Sequence, residues 1–138
     1  MNCATGARPD TAFRTFLEHT DEQIELQLGV EVWGSFYFMQ TCHPHLAASP
    51  AGRVINICSM AGTERVPGFM IYSAAKEALR AMSGVAAREW GKDGINVNVI
   101  CPTAATATTE RFRAEHPEEA AASLANLPLG RFGDAEQD

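Results

Sequence analysis

The chain has 138 residues, enough for one domain, and its 46% hydrophobic and 20% charged content exclude a wholly disordered protein. Its 17 acidic residues against 11 basic ones give a formal net charge of −6, which argues against a nucleic-acid-binding protein. We expect no membrane span, because no run approaches ~20 apolar residues. Charged residues interrupt residues 1–20, so we expect no secretory signal. The four cysteines lack metal-site spacing, so we predict no metal site and free thiols in the reducing cytoplasm.

The first predicted element is a helix over residues 21–43. Thr20 and Gln23 form a capping-box pattern that marks its beginning. Pro44 should end or kink it, because proline removes a helical hydrogen-bond donor. An apolar helical run follows the cap at Ile24, Leu28, Val32, Phe36 and Met39, and we expect Trp33 and Phe36 on an exposed stripe of this helix.

The next elements are a strand over 52–58, a helix over about 70–90 and a strand over 95–101 that stops at Pro102. Two strands joined through a long helix must run parallel, with a right-handed crossover. Their nearly continuous apolar runs predict strands that are buried on both faces. The fold class is therefore α/β, with a partial doubly wound parallel sheet of Rossmann-like type in three α/β/α layers.

Three side chains carry the candidate chemistry. Ser59 follows the first strand, at the sheet edge where open α/β sheets bind ligands. Tyr72 and Lys76 lie four residues apart, so they share one helix face. A nearby ammonium favours the phenolate, which makes a tyrosine a usable acid and base, and a serine hydroxyl can hold a substrate oxygen. Such a site suits alcohol and ketone interconversion, with hydride supplied by a separate carrier.

These motifs resemble those of the short-chain dehydrogenase/reductase family over nearly the whole chain. The thirteen-residue step from Ser59 to Tyr72 also resembles the family spacing. The matching segments are the serine-bearing strand at 52–62, the catalytic helix at 67–79 and the following strand at 94–102, with a weaker match of residues 2–5 to the end of the family's fourth strand.

The resemblance implies roles for particular residues. Tyr72 would be the acid and base, Lys76 would bind the nicotinamide ribose and lower the tyrosine pKa, and Ser59 would orient the substrate. The residues implied in binding NAD or NADP are Asn2, Tyr72, Lys76, Pro102, Thr103 and Thr106, with Thr108 as the alternative to Thr106. The sequence does not distinguish NAD from NADP, because the residue that does so follows a strand absent here.

The departures from the family pattern concern the cofactor and the proton relay. The family's glycine-rich pyrophosphate turn is absent from this sequence, so we interpret residues 1–138 as the C-terminal, catalytic part of such a domain. Glu31 stands where the resemblance implies a relay asparagine, and we expect its carboxylate to lie near Lys76. Thr103 replaces a family glycine.

Two other readings compete with the enzyme. The chain is alternatively a truncated, non-catalytic relative that acts as a helix-mediated binding or oligomerisation module. A hydrolase using Ser59 is a weaker reading, because Ile57 and Ala61 occupy the glycine positions of the nucleophile elbow. In either main reading, the helices at 21–43 and 70–90 predict a homodimer or homotetramer.

Overall fold

The computed structural model of the chain describes residue 5 and residues 13–134. The chain divides into two compact units, Met1–Cys101 and Pro102–Asp138. The first unit contains, in chain order, α1 (Asp21–Leu28), a π-helical segment (Gly29–Gly34), α2 (Ser35–Ala47), β1 (Arg53–Ile57), α3 (Met60–Glu64), α4 (Met70–Trp90) and β2 (Asn96–Ile100). The second unit contains α5 (Ala107–Glu115) and α6 (Pro117–Ala125). Over the described ranges, no helix is long and apolar enough to cross a membrane.

The sheet of the described residues consists of β1 and β2, which pair in parallel with Arg53 opposite Asn96 and Ile57 opposite Ile100. The long helix α4 connects them, so the predicted order of helix, strand, helix and strand is confirmed. The prediction that both faces of these strands are buried is wrong. Helix α4 packs against the sheet and buries Asn56 and Val97, whereas alternate positions of β2 stay exposed.

The predicted first helix begins as expected and extends beyond Pro44. Thr20 accepts a hydrogen bond from the Gln23 amide, and the Gln23 side chain accepts one from the Thr20 amide, which confirms the capping box. The helical path also continues past Pro44 to Ala47, so proline does not end the helix. Proline removes the donor to the carbonyl of Gln40, and that residue is exposed and can be solvated.

The buried residues of this helical path are Gln27, Glu31, Ser35 and Met39. Of the predicted apolar run, Met39 is buried, Ile24, Leu28 and Val32 are half-buried, and Phe36 is exposed, as expected for the stripe that it shares with Trp33. Burial follows the side that packs against α4, and on that side the carboxylate of Glu31 meets a lysine. An ion pair thus occupies a position where hydrophobicity alone predicts an apolar residue.

The hydrophobic core of the first unit lies where α2, α4 and β2 meet. Its buried members are Met39, Ala86, Ile95 and Val97, with Leu46, Val54, Ala87 and Trp90 packed around them. One buried amide is part of this region, because Nδ2 of Asn56 donates to Oγ of Ser83 over 2.9 Å. These contacts fix α4 against the sheet and so determine where the catalytic candidates on its first turns lie.

Candidate active site

Ser59 lies two residues past β1 and begins helix α3. Its backbone is extended, and its Oγ accepts a hydrogen bond from the Ala61 amide over 3.2 Å, as a helix N-cap does. A hydroxyl that accepts at a cap still has its own proton to donate. The Ser59 side chain interacts with the Tyr72 phenol and lowers its pKa, so the two side chains are neighbours. The sheet end and the cap together therefore place this hydroxyl beside the phenol.

Tyr72 and Lys76 lie one turn apart on α4, as predicted. The Lys76 ammonium is 5.5 Å from the centre of the Tyr72 ring. Its Nζ donates to the carbonyl of Ile57, the last residue of β1, over 3.0 Å. The lysine is thus fastened to the strand end that carries Ser59, and the three predicted catalytic residues lie in one place.

The carboxylate of Glu31 lies beside this lysine, which confirms the predicted proximity. Oε1 of Glu31 is 3.5 Å from Nζ of Lys76, and the two side chains are 0% and 5% exposed. The Thr5 hydroxyl also donates to Oε1. Within the described part of the chain, Oε2 has no hydrogen-bond partner. Glu31 lies in the π-helical segment, a local distortion that is frequent at functional sites.

The environment of Tyr72 raises the pKa of its phenol above the ordinary value. Burial is the largest cause; the hydrogen bond with Ser59 acts in the opposite direction, and the negative charge of Glu31 raises the pKa further. The phenol is thus harder to deprotonate than a free tyrosine, chiefly because it is buried, and the carboxylate of Glu31 acts in the same direction.

Arg80, one turn beyond Lys76, is a site neighbour that the sequence analysis missed. Its guanidinium donates to Oε1 of Glu77 over 2.9 Å, to the carbonyl of Ser59 over 3.3 Å and to Sγ of Cys101 over 3.5 Å. The available signal was the four-residue spacing from Lys76, which places both cations on one face of α4. Arg80 thus joins the two strand ends next to the site.

The residues expected to bind the cofactor are only partly assembled in one unit. Tyr72 and Lys76 belong to the first unit and Pro102, Thr103 and Thr106 to the second, while Asn2 and the Thr108 side chain lie outside the described part of the structure. Oγ1 of Thr106 caps α5 by accepting from the Thr109 amide. An ammonium has three donors; one bonds the Ile57 carbonyl, and the Glu31 carboxylate lies 3.5 Å away. A remaining donor suits a sugar hydroxyl, so Lys76 fits the ribose of a nicotinamide riboside.

Comparison with known proteins gives one consistent family. The sequence pattern of the short chain dehydrogenases matches residues 1–119. A 12α-hydroxysteroid dehydrogenase from Clostridium sp. is 45% identical over 119 residues, which are 86% of this chain and 46% of that protein. A 2,3-dihydroxy-2,3-dihydro-p-cumate dehydrogenase from Pseudomonas putida is 31% identical over 138 residues, which are 99% of this chain and 52% of that protein.

The fold is likewise similar to solved structures. A protein from Agrobacterium tumefaciens with bound NADP, described as a 2-deoxy-d-gluconate 3-dehydrogenase, superimposes with a TM-score of 0.81 at 28% identity. The alignment covers 96% of this chain and 54% of that one. The chain therefore spans about half the length of the relatives it matches, and the likeness supports the Rossmann-like α/β fold class.

Proposed function

The chain belongs to the short chain dehydrogenase family, and on that premise we propose that residues 1–138 form the catalytic half of an oxidoreductase that acts on an alcohol or ketone. The observation that carries this proposal is the convergence of Ser59, Tyr72 and Lys76 at the end of β1. The cofactor is NAD or NADP, in line with the NADP bound in the structurally similar protein from Agrobacterium tumefaciens. When bound, it supplies the hydride that no side chain can provide.

Tyr72 transfers the proton. In ketone reduction, its phenol donates to the carbonyl oxygen while the Ser59 hydroxyl holds that oxygen in place. A raised pKa keeps the phenol protonated at neutral pH, so the ground state of this site suits reduction. In alcohol oxidation the phenolate is the base, so the rate should increase as the pH approaches the raised pKa.

Lys76 binds the ribose of the nicotinamide half while its ammonium is paired with Glu31. Its bonds to Glu31 and the Ile57 carbonyl hold the ammonium at a fixed position, so little order has to be gained when the sugar binds. Pro102, Thr103 and Thr106 remain candidates for contacts with the cofactor, together with Asn2. The thiols of Cys42, Cys58 and Cys101 are free, which suits a cytoplasmic enzyme.

The substrate class we propose is a secondary alcohol or ketone on a ring. The names of the hydroxysteroid and dihydrodiol relatives both describe ring-borne alcohols, and the hydroxysteroid enzyme is 45% identical. The candidate site requires only that the alcohol or carbonyl oxygen of the substrate lies between Ser59 and Tyr72. Contacts elsewhere in the complete protein therefore determine which ring is accepted.

We also propose that the protein is a homodimer or homotetramer through the helices at 21–43 and 70–90. Large aromatic side chains on this surface are exposed, including Trp33 at 55% and Tyr37 at 57%, and Trp33 stacks on Tyr37. The same surface supports the second candidate function, a non-catalytic association module. Light scattering should show a dimer or larger species that Trp33→Glu dissociates, and a monomer at all concentrations would contradict both proposals.

The experiment that tests the enzyme proposal uses a graft, in which the 119 residues of this chain that align with the Clostridium hydroxysteroid dehydrogenase replace the matched segment of that enzyme. We expect NAD(P)-dependent turnover of a ring alcohol. Ser59→Ala and Lys76→Met should each lower kcat/KM by about 10²-fold or more. The exposed Ser49→Ala is the matched control and should leave turnover unchanged. A folded graft that binds cofactor and shows no turnover would favour the non-catalytic module.

A further inference from the structure

Two thiols occupy equivalent positions at the ends of the paired strands. The parallel register places Ile57 opposite Ile100, and the Cys58 amide continues the ladder by donating to the Ile100 carbonyl over 2.8 Å. The same register, extended by one residue, places Cys58 opposite Cys101. Both are free thiols, the first buried and the second half-buried.

The spacing of this pair suits a disulfide. Neighbouring strands lie about 4.8 Å apart, within the ~4.4–6.8 Å that disulfides span between Cα atoms. Residues in register on parallel strands also project their side chains to the same face. The two sulfurs interact electrostatically, since Cys101 contributes to raising the pKa of the Cys58 thiol, after the larger effect of burial.

We propose that Cys58 and Cys101 form an oxidation site, a dithiol that closes to a disulfide when a peroxide reaches Cys101. The geometry assigns different roles to the two cysteines. Cys101 is more exposed and accepts a hydrogen bond from the Arg80 guanidinium over 3.5 Å, so a cation lies beside the sulfur that reacts first. Cys58 is 2% exposed and its burial keeps it protonated, as suits the thiol that reacts second.

The chemistry balances with hydrogen peroxide as the oxidant. The thiolate of Cys101 attacks one peroxide oxygen, the O–O bond breaks, and hydroxide leaves to give a sulfenic acid. The sulfur of Cys58 then attacks that of Cys101, an S–S bond forms, the S–O bond breaks, and water leaves with the thiol proton. Two electrons pass from the thiols to the peroxide, and a dithiol reductant reverses the change.

The position of the bond links it to the candidate active site. Cys58 directly precedes Ser59, and Arg80 bridges the Ser59 carbonyl and the Cys101 sulfur. A disulfide would hold the two strand ends together immediately before the serine. The inference goes beyond the proposed function and does not depend on it, because its test needs neither substrate nor cofactor.

The test maps the linkage by mass spectrometry. The full chain is treated with stoichiometric hydrogen peroxide, its remaining thiols are alkylated, and it is digested with trypsin without reduction. Cleavage after arginine and lysine places Cys58 in peptide 54–65 and Cys101 in peptide 93–111, while Cys3 and Cys42 fall in other peptides. We expect these two peptides to be joined in most molecules and to separate after reduction.

Variants distinguish the two roles. In Cys58→Ser, peroxide should leave a sulfenic acid on Cys101 that dimedone traps. In Cys101→Ser, Cys58 should remain a reduced thiol, which is alkylated completely once the protein is unfolded. Cys42→Ser is the matched control and should form the linkage as the parent does. Linkage through Cys42 or Cys3, or over-oxidation of Cys101 with Cys58 still reduced, would overturn the proposal.

Discussion

The carboxylate of Glu31 lies 3.5 Å from the ammonium of Lys76, and both side chains are almost completely buried. The pair joins the π-helical segment to α4 directly beside Tyr72. A buried ion pair of this kind is weak evidence for stability, because desolvation offsets much of the attraction. Its clearest consequence here is electrostatic: after burial, which is the largest cause, the negative charge of the carboxylate raises the pKa of the phenol further.

Replacing Glu31 by asparagine should lower the pKa of Tyr72. The change removes a negative charge that opposes phenolate formation, and it releases the field of Lys76. The chain has two tyrosines, so ultraviolet titration in a Tyr37→Phe background reports Tyr72 alone. In the grafted enzyme, the pH at which alcohol oxidation is half-maximal should decrease together with the pKa of Tyr72.

The control for this prediction is Glu25→Gln, which removes an exposed carboxylate from the same helical path. This variant should change neither the ultraviolet titration of Tyr72 nor the pH at half-maximal alcohol oxidation. Glu31→Asn leaves the buried ammonium of Lys76 without its partner, which lowers the stability of the fold, so the folding of each variant is checked by circular dichroism. The double variant Glu31→Asn/Lys76→Met removes both charges and serves as the charge-balanced variant. An unchanged Tyr72 titration in folded Glu31→Asn would contradict the electrostatic role.

The raised pKa of Tyr72 also predicts a pH dependence of folding. The folded chain holds the phenolic proton more tightly than the unfolded chain, so this stabilisation is complete below the unfolded value of about 10 and is lost as the pH rises through the folded pKa. Urea unfolding should therefore show a steeper loss of stability at alkaline pH for the parent than for Tyr72→Phe. If the stability of the two proteins falls in parallel with increasing pH, a raised pKa of Tyr72 in the folded chain would be contradicted.

The sequence was sufficient for the elements whose local signals agree with their packing. The capping box, the helix at 70–90 and the parallel strands all correspond to observed elements, because each has a regular pattern and a clear boundary residue. The convergence of Ser59, Tyr72 and Lys76 was predictable for a similar reason. Residues at a strand end and on one helix face are placed by topology alone.

Tertiary contacts decided the features that the sequence did not reveal. Hydrophobic periodicity cannot show that Gln27 and Glu31 are buried, because burial depends on packing against α4, where Glu31 meets the ammonium of Lys76. The direction of the Tyr72 pKa likewise depends on burial, which no spacing encodes. Arg80 was missed because its acceptors, the Ser59 carbonyl and the Cys101 sulfur, meet only in the folded sheet.

Two glycine substitutions test the packing of α4 and of the loop before β1. A Cβ at Gly84 would meet no atom within 4 Å, so Gly84→Ala should raise the free energy of unfolding by about 1 kcal/mol through helix propensity. A Cβ at Gly52 would lie 2.6 Å from the Leu46 carbonyl oxygen, so Gly52→Ala should lower it by about 1–3 kcal/mol. Chemical denaturation measures both, and equal effects would contradict this packing.

The chain alone should bind NAD or NADP weakly. Tyr72 and Lys76 offer contacts to the nicotinamide ribose, but this sequence contains no glycine-rich turn to hold a pyrophosphate. Calorimetric titration should give a dissociation constant above the micromolar range for the chain and a tighter one for the graft. Micromolar binding by the chain alone would show that other residues here hold the cofactor.

The central claim is that Tyr72 is the proton-transferring residue, and nicotinamide absorbance in the grafted enzyme tests it most directly. Tyr72→Phe removes one hydroxyl, and Tyr37→Phe makes the identical change at an exposed position. We predict that kcat/KM for ketone reduction falls by about 10²–10⁴-fold in Tyr72→Phe and stays at the parent value in Tyr37→Phe. Turnover by folded Tyr72→Phe at the parent rate would contradict the account.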